Sequence, residues 1–204
     1  MSRGDVRIVV LFGGVGPERE VSLRSGATVR EALQTALPGE KEKPVVRAIE
    51  LTEPSLPAGL DPGREVIVPI LHGEYGEDGT LQAELEAAGF AYAGADSRAS
   101  RLCMDKVATR DTVAAAGVRV PPACAGGEAA ALGVEDLYAS LGEDWVAKPR
   151  RGGSSVAVHL WRGRSAVEAG RAALGEGDWL FERFVPGREL SVGMLGEEVL
   201  GIVE

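Results

Sequence analysis

The chain has 204 residues, 45% apolar and 26% charged, with a formal net charge of −9. This is an ordinary globular composition, long enough for a sizeable core in one large domain or two small ones, and it excludes collagen-like, coiled-coil and disordered classes for the bulk of the chain. The acidic balance argues against a nucleic-acid binder, which needs a basic face.

Residues 6–12 are a short apolar, β-branched run closed by Gly13-Gly14, which predicts a buried strand. A loop leads to Ser22, an N-cap candidate for a helix over 22–37 that Pro38-Gly39 ends. Strands are expected over 45–51 and 65–71, separated by a loop rich in proline and glycine. A turn rich in glycine and acids spans 72–79, followed by a helix over 80–88 and a short strand over 90–93. Alternating strands and helices with buried strands imply a parallel sheet covered on both faces. Ligands in such sheets sit beyond the carboxyl ends of the strands, so the loops after Phe12 and Leu71 are the places to look.

Beyond Gly94 the texture changes. Two helices are expected over 97–116, an extended stretch over 118–123, and a helix over 135–141. Extended segments follow at 144–149 and 156–161, then a helix over 165–174 and further strands at 178–185, 189–195 and 198–203. Tight turns between mixed elements suit an α+β unit, with a boundary near residue 96. There is no internal repeat or low-complexity tract.

Cys103 and Cys124 are isolated thiols outside any CxxC or Cys/His cluster, consistent with small packing residues in a reducing compartment. The apolar run at 8–12 is too short for a signal peptide, and no window reaches membrane-helix length. A cytoplasmic location is therefore expected. Only four of the 22 basic residues are lysines: Lys41, Lys43, Lys106 and Lys148.

Four segments could carry chemistry. Gly13-Gly14-Val15-Gly16 is not a dinucleotide fingerprint, because Arg19 stands where the third glycine belongs, and no Gly-Lys pair exists for a Walker A loop. The run from Pro17 to Ser22 puts two carboxylates and a guanidinium between strand and helix; it reads as a solvated loop with a cap or as part of a site. His72 to Gly79 gathers one of the two histidines, three acids and three glycines at a strand end, a density that favours a site. Lys148-Pro149-Arg150-Arg151-Gly152-Gly153-Ser154-Ser155 joins two strands. Its glycine and serine amides suit an anion nest and Lys148 supplies a point charge, while an ordinary basic hairpin turn is the plain alternative. Glu182, in an apolar strand, needs a partner. Glu182 and Glu189 read equally as site residues or as surface and salt-bridge groups.

In this order these segments resemble the D-alanine–D-alanine ligases, an ATP-grasp family. The matching stretches are Gly13-Gly14 with Glu18 to Ser22, His72 through Gln82, Met104-Asp105-Lys106, Lys148 through Ser155, Phe181-Glu182 and Glu189. The resemblance implies an α/β fold: an N-terminal Rossmann-like parallel-sheet domain over 1–96, then an incomplete α+β ATP-grasp domain over 97–204 with a central subdomain over 124–185. It implies that Glu18 holds the amine of the first D-alanine, with Ser154 in the same hydrogen-bonded network, and that His72 lies near the substrate carboxylate. By the same resemblance Lys106 and Lys148 meet ATP phosphates, which Gly153, Ser154 and Ser155 cover. Glu182 and the backbone after it, at Arg183, would hold adenine, and Glu189 the ribose.

The implied reaction is ATP-dependent, Mg²⁺-assisted ligation of two D-alanines for peptidoglycan, by a homodimer acting without nucleic acid or membrane. Acceptors such as D-lactate or D-serine, or a non-catalytic nucleotide-binding fragment, are the alternatives. Two local departures stand out. Ala157 replaces a customary glycine, a change expected to alter loop flexibility only slightly, and Arg150 replaces a commonly small residue. The family also continues well beyond this length, through its metal ligands, an oxyanion-stabilising arginine and the acceptor loop. The chain is accordingly expected to be a truncated sequence that does not ligate D-alanine by itself.

Overall fold

A computed structural model describes residues 6–35, 45–165, 168 and 177–204, which divide into two compact units. The first comprises 1–118 with 150–156, and the second 119–149 with 157–204.

The first unit opens with β1 (Arg7–Gly13), α1 (Arg19–Thr35), β2 (Val45–Leu51), β3 (Glu65–Pro69), α2 (Thr80–Ala87) and β4 (Ala91–Tyr92). These strands form a four-stranded parallel sheet in the order β2-β1-β3-β4. The chain thus runs from β1 to one neighbour, then returns to the other side of β1. The order reverses between β1 and β3, and the loops leaving their carboxyl ends flank that switch point.

Side chains alternate across β1. Val9 and Leu11 join Ile67, Leu81 and Leu85 in a fully buried core. Phe12 faces α1, where Gly26 leaves room for its ring: a Cβ on Gly26 would stand 2.5–2.6 Å from Phe12 Cβ and Cγ. Two more helices complete the unit, α3 (Ser97–Met104) and α4 (Lys106–Ala115). Asp96 caps α3 and Asp105 caps α4 through side-chain bonds to backbone N–H groups.

The second unit begins with β5 (Ala123–Ala125), α5 (Gly126–Ala131), α6 (Val134–Leu141) and β6 (Asp144–Pro149). It continues with β7 (His159–Arg162), β8 (Trp179–Arg183), β9 (Ser191–Leu195) and β10 (Glu198–Val203). An antiparallel sheet runs β5-β8-β6-β7, and β9 with β10 makes a separate antiparallel pair. One face of the larger sheet carries Trp145, Ala147 and Phe181, which pack with Leu137 and Leu141 of α6 into a second core. Trp145 is fully buried, and its Nε1 donates to the Gly142 carbonyl at 2.6 Å. The β9–β10 pair exposes apolar side chains such as Met194, Leu195, Leu200 and Ile202.

The Rossmann-like parallel sheet and the mixed unit after it match the expected fold class. One local expectation is overturned. Ser22 is not an N-cap: α1 already begins at Arg19, and Ser22 is fully buried inside its first turns. The helix α5 has no counterpart in the expected elements. The end of the helix expected over 22–37, its Pro38-Gly39 stop and most of the helix over 165–174 lie outside the described residues. No helix among the described residues is long and apolar enough to cross a membrane. Neither cysteine forms a disulfide; Cys124 is buried and Cys103 exposed.

Candidate functional site

At the switch point of the first unit, Ser22 ties the two strand ends together. Its Oγ accepts from Gly13 N–H at 2.8 Å and donates to the Ile70 carbonyl at 2.5 Å. A single hydroxyl in α1 thereby fixes where the loops after β1 and β3 begin. Arg19 braces the first loop, donating to the carbonyls of Gly14 (2.9 Å) and Leu51 (3.2 Å) and pairing with Glu50.

Glu18 and His72 project from these two loops. The Ser154 hydroxyl, 136 positions along the chain, donates to a Glu18 carboxylate oxygen. Gly73 lies directly beside Glu18: it has φ +73°, and a Cβ there would come 2.5 Å from Glu18 Oε2. A side chain at position 73 would therefore close the approach. His72 is held on both ring nitrogens. Ser25 directs its proton to the Val21 carbonyl at 2.5 Å, so its oxygen accepts from His72 Nε2–H at 3.1 Å. Nδ1 faces Glu77 Oε1 at 3.5 Å, an ion pair whenever the ring is doubly protonated. Glu77 in turn accepts from Gly73 N–H at 2.7 Å. Ser25 was absent from the sequence-derived site. Nothing local marks it, because it meets His72, 47 positions away in sequence, only once α1 is packed on the sheet.

The glycine-serine loop approaches Lys106 of the same unit. Lys106 Nζ donates to the Gly152 carbonyl at 2.7 Å. Ser154 (φ +50°), Ser155 (φ +56°) and Ala157 (φ +56°) all adopt left-handed backbone. Ala157 thus occupies a conformation that glycine would adopt without strain, so an alanine there carries a backbone cost. Gly153 is exposed, and its neighbour Gly152 carries the positive φ. Asp105 sits beneath the loop with its carboxyl held down at about 2, chiefly by the hydrogen bond from Arg150, against the opposing effect of burial.

In the second unit, Lys148 and Glu182 share the sheet face opposite the tryptophan core. The register sets Lys148 against Leu180 and Val146 against Glu182, which makes the two charges diagonal neighbours. They form an ion pair, with the Glu182 side chain 11% exposed. The carboxylate in an apolar strand therefore has its partner. The Arg183 side chain caps α6, donating to the carbonyls of Ser140 and Leu141 at 2.9 Å each. Glu189 is exposed in the segment between β8 and β9.

Among the described residues no group of three or more His, Cys, Asp or Glu side chains could hold a metal ion. The donor set for Mg²⁺ is thus not met by these residues.

No protein-family model matches the chain. A curated D-alanine–D-alanine ligase of Granulibacter bethesdensis is 36% identical over 202 residues, which cover 97% of this chain and 62% of that protein. The D-alanine–D-alanine ligase of Anaeromyxobacter dehalogenans is 40% identical over 209 residues, covering 97% and 63%. Among solved structures, the D-alanine–D-alanine ligase of Bacillus anthracis complexed with ATP superposes with a TM-score of 0.80 at 27% identity, covering 97% of this chain and 62% of that one. The chain spans about 62% of the length of the curated relatives it matches. Over that span, the chain is similar in sequence and in fold to the D-alanine–D-alanine ligases.

Proposed function

We propose that the chain carries the first D-alanine site and the nucleotide site of an ATP-dependent D-alanine–D-alanine ligase. The observation that carries this reading is the hydrogen bond from Ser154 to Glu18, beside His72 at the switch point of the parallel sheet. Residues far apart in sequence, each named independently by the family resemblance, converge there. In this reading residues 1–96 are the substrate-binding domain and 97–204 belong to the ATP-grasp domain.

Glu18 receives the ammonium of the first D-alanine, an arrangement that leaves the substrate carboxylate as the nucleophile. Ser154 orients Glu18, and His72, steadied by Ser25 and Glu77, faces the substrate carboxylate. Lys106, Lys148 and the amides of Gly153, Ser154 and Ser155 hold the phosphates. Glu182 and the Arg183 backbone take adenine, and Glu189 the ribose. The carboxylate oxygen attacks the γ-phosphorus and ADP leaves, giving an acyl phosphate. The amine of the second D-alanine then attacks the acyl carbon, and phosphate and a proton depart. Such phosphoryl transfer rests on positioning and charge neutralisation, which lysines and a glycine-serine loop provide. The loop also keeps water from the acyl phosphate. The product serves peptidoglycan synthesis, in the cytoplasm.

The 204 residues by themselves bind nucleotide without ligating D-alanine. The test is titration of the purified chain with ADP and ATP, followed by tryptophan fluorescence and thermal shift. Saturable binding is expected, weakened about tenfold or more by Lys148→Ala, the scale of one charge-assisted contact. No binding at millimolar nucleotide, or binding indifferent to Lys148, overturns the reading.

A further inference from the structure

We infer that Asp105 is a positioning residue, which clasps the glycine-serine loop through Arg150 and Arg151 and presets its serines before any ligand arrives. The clasp is a dense set of contacts within one unit. Asp105 is buried at the junction of α3 and α4. Its Oδ1 accepts from Arg150 Nε at 2.7 Å, and its Oδ2 meets an Arg150 terminal nitrogen at 2.7 Å. That is the two-pronged pairing in which a guanidinium fixes a carboxylate in orientation as well as distance. Arg151 adds a third contact to Oδ2 at 3.1 Å. The neighbours of Asp105 hold the same stretch. Lys106 N–H donates to the Arg150 carbonyl at 3.0 Å, and Gly152 N–H lies 3.3 Å from Met104 Sδ. Residues 104–106 therefore grip 150–152 through backbone and side chains together.

The loop needs such a grip. Ser154, Ser155 and Ala157 all hold left-handed φ, which L-residues adopt only where their surroundings impose it. A small side chain at position 150 could not reach Asp105. Asp105 has a second, separable task. Its Oδ1 caps α4 by accepting from Val107 and Ala108 N–H, each at 3.1 Å. Asparagine caps helices about as well as aspartate but carries no charge to hold two arginines. Asp105→Asn therefore removes the clasp and keeps the cap.

The consequence for ligand binding rests on the reading above, in which this loop covers nucleotide phosphates. A preset loop has less freedom left to lose on binding. The decisive measurement is hydrogen exchange on the unliganded 204-residue chain and on two variants, Asp105→Asn and Arg150→Ser. Peptides over 150–156 are expected to exchange about tenfold faster in both, the scale of one charge-assisted bond, while peptides over α4 keep their protection. Unchanged loop exchange in Arg150→Ser overturns the clasp. So does Asp105→Asn, if loop and α4 lose protection together while Arg150→Ser leaves both intact, because Asp105 would then be a cap alone. Should Asp105→Asn fail to fold, Arg150→Ser decides by itself. ADP affinity is measured in parallel, with a several-fold loss expected in both variants. A wild-type chain that binds no ADP but shows the exchange difference keeps the clasp and sinks the nucleotide reading. Faster loop exchange with unchanged ADP affinity overturns the presetting role.

Discussion

The residues that build the switch point are held by hydroxyls more than by charge. Ser22 is the clearest case. Its fully buried Oγ is at once the acceptor for Gly13 N–H and the donor to the Ile70 carbonyl. Truncation to alanine strands both groups away from water, and each such orphan costs about 1–3 kcal/mol. Ser22→Ala is therefore expected to lose about 2–3 kcal/mol in urea unfolding, and the Gly13 amide should exchange faster. A simple N-cap would cost about 1 kcal/mol and leave Gly13 protected. The sequence could not separate these roles. A serine before an apolar helical stretch looks like a cap, and only the fold reveals that α1 starts three residues earlier, at Arg19. The same limit hid the Asp105–Arg150 pair, whose members are 45 positions apart with no local pattern joining them. Glu18, His72 and Ser154 could be singled out as candidates for the opposite reason. Strand ends and glycine-rich turns are local features, and the rule that ligands lie beyond carboxyl ends turns them into places.

Elements were legible where one period dominated. The apolar runs of β1 and β3 have no helical spacing, and both are strands. By contrast α5 opens with Gly126-Gly127 and offers no apolar stripe, so nothing in its pattern announces a helix. Glycine inside α1 gives a sharper test of how packing overrides propensity. On propensity alone Gly26→Ala would gain about 1 kcal/mol. The new methyl would, however, stand 2.5–2.6 Å from Phe12 Cβ and Cγ, and both residues are held between helix and sheet. Such overpacking costs about 1–3 kcal/mol. A net loss of about 1–2 kcal/mol is expected in urea unfolding. In a Phe12→Ala background, which lacks Cγ and the ring, the same substitution should cost less, a coupling that a double-mutant cycle reads directly. A gain in stability from Gly26→Ala would mean that α1 stands off the sheet.

Among the described residues there are two cores with no residue in common, one on the parallel sheet and one around Trp145. Two separate cores predict two cooperative transitions, since cooperativity follows the packing that each transition destroys. The tryptophans make this measurable. The chain has three, Trp145, Trp161 and Trp179, and all belong to the second unit. Tryptophan fluorescence therefore follows that unit alone, whereas most of the described helical residues, and so most of the far-ultraviolet dichroism, belong to the first. Leu81 and Leu137 are both fully buried, one in each core. Truncating such a leucine to alanine costs about 2–5 kcal/mol. Leu81→Ala is expected to lower the dichroism midpoint in urea and leave the fluorescence midpoint in place, and Leu137→Ala to do the reverse. If either substitution moves both midpoints equally, the two cores unfold as one, and a change measured at the tryptophans reports on both units and not on the second alone.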